Sequence, residues 1–506
     1  MNRVERSFYF CLSFLMMGLA MSHLTNVVPW VDEVMFTDTA MHYVNGKGWT
    51  TNAWYSVAKQ EPFLLYPPLY SMIMVLWMSV FRTTLIACRS MNLIFTLLIG
   101  LGILRICKQL GTRLSIKQIG ILIVLLWCNE DMIYMYSNGR PDLLGAAVLV
   151  LIVSEMICII RNNKKGWIIV ILLVLLLMSG IQAVVCLYIL LLWAYLILKE
   201  YRKSIKRITA LTAFGTFIGF LLVCTFMACH GHLIAFVANM LSYSNTLMNL
   251  AMITLPVVGD YLGIDISLFL EKIANNTTDV PFYSRIMTIY THPAYVALIG
   301  VIFILFLSDY KKMKSSSLYV MMKLLFVFIL SIPLLMNLAG RFPDYYYWMA
   351  YLPVFLFVVI LVGFTESRRN YLIIGLVLLF ISAKGLACSI QQNNYSMIEA
   401  FISRCTMLKN KCVVAPFPVF YEMERLGCSA YYLGVYPSRY VPKDKDIEYV
   451  ILPPKNSDYG VNHLYDYYES INESDSLQTI MVAESTTVGL KVFKIVRKPQ
   501  YNSNKP

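Results

Sequence analysis

Charge is scarce in this sequence. Asp, Glu, Lys and Arg make up 14% of its 506 residues against 58% hydrophobic residues, and the mean hydropathy is +0.63. A soluble chain of this length carries roughly a quarter of its residues as charges, so most of this one must sit in lipid. Uncharged runs such as 208–229 and 345–365 reach the roughly 20 residues that cross a hydrocarbon core. In lipid they must be helical, because backbone groups find no water there. Metal-binding spacings are missing too: there is no CxxC and no His-rich cluster, which excludes the common zinc frameworks. No internal repeat is visible. The first apolar run, 8–21, has no clear small-residue cleavage site after it, so it reads as a retained span rather than a signal peptide.

The cysteines that are present fall into two groups. Eight of the twelve lie in or beside apolar runs, where a thiol packs as a small hydrophobe. The other four are Cys388, Cys405, Cys412 and Cys428; on an oxidising side, Cys405 and Cys412 are candidates to pair.

A net charge of +13 suggests nucleic acid until its distribution is read. Residues 390–506 hold 13 basic and 12 acidic residues, and the excess lies in short gaps between apolar runs. That pattern signals topology and excludes a nucleic-acid footprint. The runs predict eleven spans, near 7–26, 84–104, 118–134, 143–160, 166–180, 181–198, 208–229, 291–308, 317–337, 346–363 and 371–389. With the N-terminus inside, every inner linker is basic, from Arg3 and Arg6 to Arg368 and Arg369. The uncharged stretch 166–198 is split at Ser179-Gly180 into a hairpin, because both its flanks are basic. Residues 67–81 are placed as an interfacial helix opened by Pro67-Pro68, with Trp77 at headgroup level. The expected architecture is therefore an all-α polytopic membrane domain, 1–389, followed by a small soluble α/β domain, 390–506, on the outer side. In that tail, β-like runs at 413–414, 430–435, 449–452, 479–483 and 490–496 alternate with helices near 419–426 and 463–470.

Outside the inner linkers and the tail, only Glu155 falls on the inner half of a span. Carboxylate chemistry is therefore expected at the outer face. Asp32-Glu33 follows the first span, just after Pro29 and Trp30, well placed to meet a lipid-linked substrate. A solvated loop start explains that position equally well. A second candidate is Asn138-Gly139-Arg140-Pro141-Asp142, where Gly139 and Pro141 favour a tight turn. Arg140 can bind a phosphate bidentately, although Asp142 alone reads more simply as a helix-capping residue. Arg341 heads a third group, Arg341-Phe342-Pro343-Asp344 and the aromatic run after it, which otherwise reads as an interfacial belt. Lys59 is a further basic residue on the outer side.

Taken in order, Asp32-Glu33, Tyr66-Pro67-Pro68-Leu69-Tyr70, Arg89 with Asn92, and Arg140-Pro141-Asp142 resemble the polytopic lipid-linked-sugar glycosyltransferases. That group, of GT-C type, contains the protein O-mannosyltransferases and the lipid A aminoarabinose transferase. The resemblance covers roughly residues 28–160. It implies a cavity open to the membrane, a polyprenyl-phosphate sugar donor, and a lipid, glycan or protein acceptor. It also implies a bacterial inner membrane with the tail in the periplasm. Asp32 takes the role of general base or acceptor-orienting acid, Glu33 matches the second acid, and Arg140 and Asp142 match the second-loop site. The aminoarabinose transferase has an arginine three residues after the first acid and a lysine before its Pro-Pro, where this chain has Met35 and Tyr66. Donor phosphate would then fall to Lys59, Arg140 or Arg341. No cofactor is called for, and a divalent metal is left open. The alternative class is a transporter or flippase of lipid-linked or small solutes, which commonly shows repeats and midplane charges.

Overall fold

The computed structural model describes residues 31–51, 53, 61–62, 67–112, 114–162, 166–231, 288–316, 318–339, 346–391, 395–433, 447–455, 462–474 and 476–498, with isolated positions in 16–29 and at 233 and 236. The first expected span, Lys59 and Arg341 lie wholly or largely outside these residues.

The chain is an integral membrane protein, and its fold is mostly helical. Helix α1 (Val31–Val44) leads into a short β1–β2 hairpin (Thr50–Thr51, Glu61–Pro62), and α2 (Leu69–Phe81) follows. Then come α3 (Leu85–Gln109), α4 (Ile116–Cys128), α5 (Glu130–Tyr136), α6 (Asp142–Asn162), α7 (Trp167–Ser179), α8 (Ile181–Ile197) and α9 (Arg202–Cys229). The second half has α10 (Pro293–Ser308), α11 (Tyr310–Lys314), α12 (Tyr319–Ala339), α13 (Trp348–Val362) and α14 (Arg368–Gln391). Among the described residues, five helices are long and apolar enough to cross a membrane, or six if α4 and α5 count as one broken span; α7, α8, α10 and α13 are shorter apolar helices. Helix α13 is buried at every position but Pro353, which is why its sequence is apolar all round.

Two local expectations changed. The span expected at 118–134 breaks at Asn129, and its halves are bent by 62°. Asn129 sits in the β region, and its side chain accepts from the backbone N–H of Asp131 and Met132, so Asn129-Glu130-Asp131 starts a new helix rather than continuing the old one. Trp77 is half-buried, and its indole N–H donates to Ser90 on α3 (3.1 Å). Cys405 does not pair with Cys412; it is a thiol that donates to the Phe401 carbonyl.

Beyond α15 (Tyr395–Arg404) the tail forms a mixed five-stranded sheet of β3 (Cys412–Ala415), β4 (Ser429–Tyr432), β5 (Tyr449–Leu452), β6 (Leu477–Glu484) and β7 (Lys491–Arg497). The strand order is β4-β3-β5-β7-β6; β3 pairs in parallel with β4 and β5, and the other pairs are antiparallel. Side-chain alternation divides the sheet cleanly. Val413, Ala415, Ala430, Tyr432 and Ile451 join the core that runs on into the helical part, whereas Val414, Tyr431, Val450 and Leu452 pack with Leu464 and Ile471 of α17 (Asn462–Glu473). One sheet face is thus continuous with the membrane part's core. The helix between β3 and β4, α16 (Phe420–Arg425), is carried onto α1.

Candidate functional site

Asp32 and Glu33 lie in the first turn of α1, where the helix dipole favours negative charge. Successive helical residues point about 100° apart, so the two acids face different partners. Asp32 meets Arg140, whose guanidinium also donates from Nε to Asp142 Oδ2 (2.7 Å). Glu33 meets Arg89 in a two-pronged pair, with Nε to Oε1 at 2.7 Å and Nη2 to Oε2 at 2.6 Å. Arg89 Nη1 donates to the Leu24 and Val27 carbonyls, both at 2.7 Å, which ties the end of the first apolar segment to α1 and α3.

Exposure separates these pairs. Glu33 and Arg89 are completely buried, whereas the Asp32 side chain keeps 23% of its surface, beside 7% for Arg140 and 9% for Asp142. Only Asp32 is open to a reactant in a substantial way. The tail completes the seal over Glu33: the Tyr421 hydroxyl of α16 donates to Glu33 Oε1 (3.3 Å) and lies 3.4 Å from Thr37 Oγ1.

The turn that presents Arg140 is held by α3. Asn92 donates its amide to the Asn138 and Arg140 carbonyls, the latter at 3.3 Å, and its Oδ1 accepts from Tyr70 of α2. Gly139 is required by closeness: a Cβ there would lie 2.8 Å from Cys88 Sγ and 3.1 Å from Glu33 Cγ. The Arg140 guanidinium also lies over the Phe36 ring, 5.8 Å from its centroid. The four short motifs read from the sequence thus meet in one place. Lys59 and Arg341 lie outside the described residues and cannot be placed there. Glu155, the acid on the inner half of a span, pairs with Arg105.

Two further charged groups had no signal in the sequence, because their members lie far apart along the chain. At the α4–α5 break, Glu130 Oε1 is contacted by Lys384 Nζ (2.5 Å) of α14 and His292 Nε2 (3.1 Å) at the start of α10. His292 Nδ1 lies 2.9 Å from the Tyr351 hydroxyl and 3.8 Å from Asp131 Oδ2. In the other group, Asp38 and His42 of α1 face Glu424 of α16. Both groups offer metal donors, but the first already holds a lysine ammonium against its glutamate. Glu422, next to Tyr421, has its carboxyl raised by burial despite Arg425 Nε at 2.8 Å. A cleft of about 550 Å³ opens between Asn45, Arg82, Glu399 and Glu422, with Tyr421 and Glu424 on its wall. An apolar cavity of about 110 Å³ lies among Ile106, Val153, Leu190 and Phe328; it has no titratable lining residue except Cys186 and belongs to the helix packing.

No family model matches the chain, and no curated protein sequence does. Among solved structures the fold is similar to ArnT from Cupriavidus metallidurans bound to undecaprenyl phosphate, with a TM-score of 0.60 and 11% identity over 96% of this chain and 98% of that one. The apo state of the same ArnT gives 0.55 and 10%, over 97% and 98%. The oligosaccharyltransferase AglB from Archaeoglobus fulgidus gives 0.49 and 12%, over all of this chain and 75% of that one. The chain has an ArnT-like fold over 96% of its length.

Proposed function

We propose that this chain is a membrane glycosyltransferase that moves a sugar from a polyprenyl-phosphate donor to an acceptor hydroxyl at the outer face of the membrane. The observation that carries the reading is Arg140, which meets Asp32 across 108 positions of sequence and holds Asp142 beside it while Asp32 stays partly open. In the proposed step the acceptor oxygen bonds to the anomeric carbon and gives its proton to Asp32. The bond from that carbon to the phosphate oxygen breaks, and the charge on the departing polyprenyl phosphate meets Arg140. Asp142 holds the arginine in register. Glu33, buried with Arg89, is assigned a positioning role, keeping α1 oriented so that Asp32 points outward. Lys59 and Arg341 are kept as further phosphate contacts. The likeness in fold to ArnT, crystallised with undecaprenyl phosphate, supports this donor class.

One observation favours the transporter reading: a broken helix with Glu130 and Asp131 at the break, facing Lys384 and His292. A single assay separates the two. Purified protein is incubated with a polyprenyl-phosphate sugar and its lipid products are read by mass spectrometry. Asp32→Asn is expected to lower release of polyprenyl phosphate roughly 10²–10⁴-fold, with Glu130→Gln close to the native rate. Full activity in Asp32→Asn removes the proposed base, and solute flux lost in Glu130→Gln without any lipid product favours transport.

A further inference from the structure

We infer that Asp38, His42 and Glu424 bind a divalent first-row cation of the zinc class, which pins the tail to the helix that carries Asp32 and Glu33. Asp38 and His42 stand four residues apart on α1, so they share one face; Glu424 comes from α16, 382 positions further on. The three donor atoms lie within 4.8 Å of one another, and Asp38 Oδ1 is 3.5 Å from His42 Nε2. Ligands about 2.0–2.2 Å from a tetrahedral zinc stand roughly 3.3–3.6 Å apart, so this pair is already at ligand spacing. All three side chains are buried, Asp38 and His42 completely and Glu424 to within 4%.

The hydrogen bonds around the cluster settle which atoms face inward. The Thr50 hydroxyl donates to the Lys47 carbonyl (3.1 Å), so toward His42 Nδ1 at 2.9 Å its oxygen acts as acceptor. Nδ1 therefore carries the ring proton, and in the neutral imidazole Nε2 is a bare lone pair. That lone pair is buried, makes no hydrogen bond, and faces carboxylates, while Glu424 Oε1 is equally buried and without one. Acceptors facing acceptors in a dry site repel unless a cation lies between them. The outward atoms are held as second-layer partners of a metal site are. Asp38 Oδ2 accepts from Thr51 Oγ1 (2.6 Å) and the Ala53 N–H (2.9 Å), and Glu424 Oε2 faces Lys47 Nζ at 3.4 Å. One imidazole and two carboxylates suit zinc better than calcium or magnesium, which prefer all-oxygen sites. Glu424 also borders the 550 Å³ cleft, which supplies a way in.

The test reads metal content, so its outcome does not depend on transferase activity. Full-length protein in detergent is stripped with a chelator, exposed to Zn²⁺, desalted and analysed by mass spectrometry of the metal. Native protein is expected to keep close to one zinc per chain. Glu424→Gln and His42→Gln are each expected to weaken binding by more than the roughly 10–100-fold that outer-layer partners account for. Glu130→Gln, in the lysine-filled group, is expected to retain it. As a measurement that needs no variant, Co²⁺ added to native protein should give the visible absorption of a tetrahedral site, bleached by Zn²⁺. The inference is overturned if native protein keeps no zinc and shows no such band, or if the bound metal survives both substitutions.

Discussion

Two arginines that pair with neighbouring acids of α1 do opposite things. Arg89 spends its donors on Glu33 and on the Leu24 and Val27 carbonyls, all internal, and both side chains are wholly buried. Arg140 sits between Asp32 and Asp142 at the edge, and Asp32 keeps part of its surface. The ion-pair chemistry is the same in both. What differs is closure: a fully buried pair whose carboxylate oxygens both accept internal hydrogen bonds can only hold elements together, whereas an edge pair can exchange a partner for a phosphate or a hydroxyl. Glu33 and Asp32 are neighbours in sequence, so the difference lies in which way one helical step turns each side chain.

That contrast can be broken or sharpened by substitution. Removing Glu33 should do the most damage to the fold, because Glu33→Gln leaves Arg89 as a buried charge without its counterion, a loss of about 3–5 kcal/mol. Thermal unfolding in detergent should show it, and adding Arg89→Met should recover most of the loss. If Glu33→Gln unfolds like the native protein yet loses activity, the closed cluster is chemical and the contrast fails. Gly139→Ala tests the wall between the clusters, since its new methyl meets Cys88 and Glu33; about 1–3 kcal/mol of destabilisation is expected from overpacking. An unchanged midpoint would mean that the Arg140 turn is not pressed against α1. Tyr421→Phe should cost least, about 1 kcal/mol for one hydrogen bond, with transfer activity little changed. Loss of activity without loss of stability in that variant would put the tail in the reaction.

Much of the architecture was legible because its signals are local. The apolar runs from 84 onward all became helices, the stretch 166–198 divided into two helices at Gly180, and all five strands of the tail stand where short β-like runs were read. The break at Asn129 was legible in principle, since an Asn followed by two acids is a helix start, but hydropathy averaged over the run concealed it. The candidate site was half legible. Asp32, Arg140 and Asp142 could be named from motifs, while Tyr421 could not, because nothing near it in the sequence refers to Glu33.

The sequence by itself determined that this chain crosses a membrane, where its basic linkers fall and that its tail is a small α/β unit, because length, charge and periodicity act within about twenty residues. Tertiary structure alone decided which acid is sealed and which is open. It also decided that Arg89 takes Glu33, that Glu130 takes Lys384 and His292, and that Glu424 arrives at Asp38 and His42. Those pairings join residues up to several hundred positions apart, and their energy comes from burial, which exists only once the helices have packed.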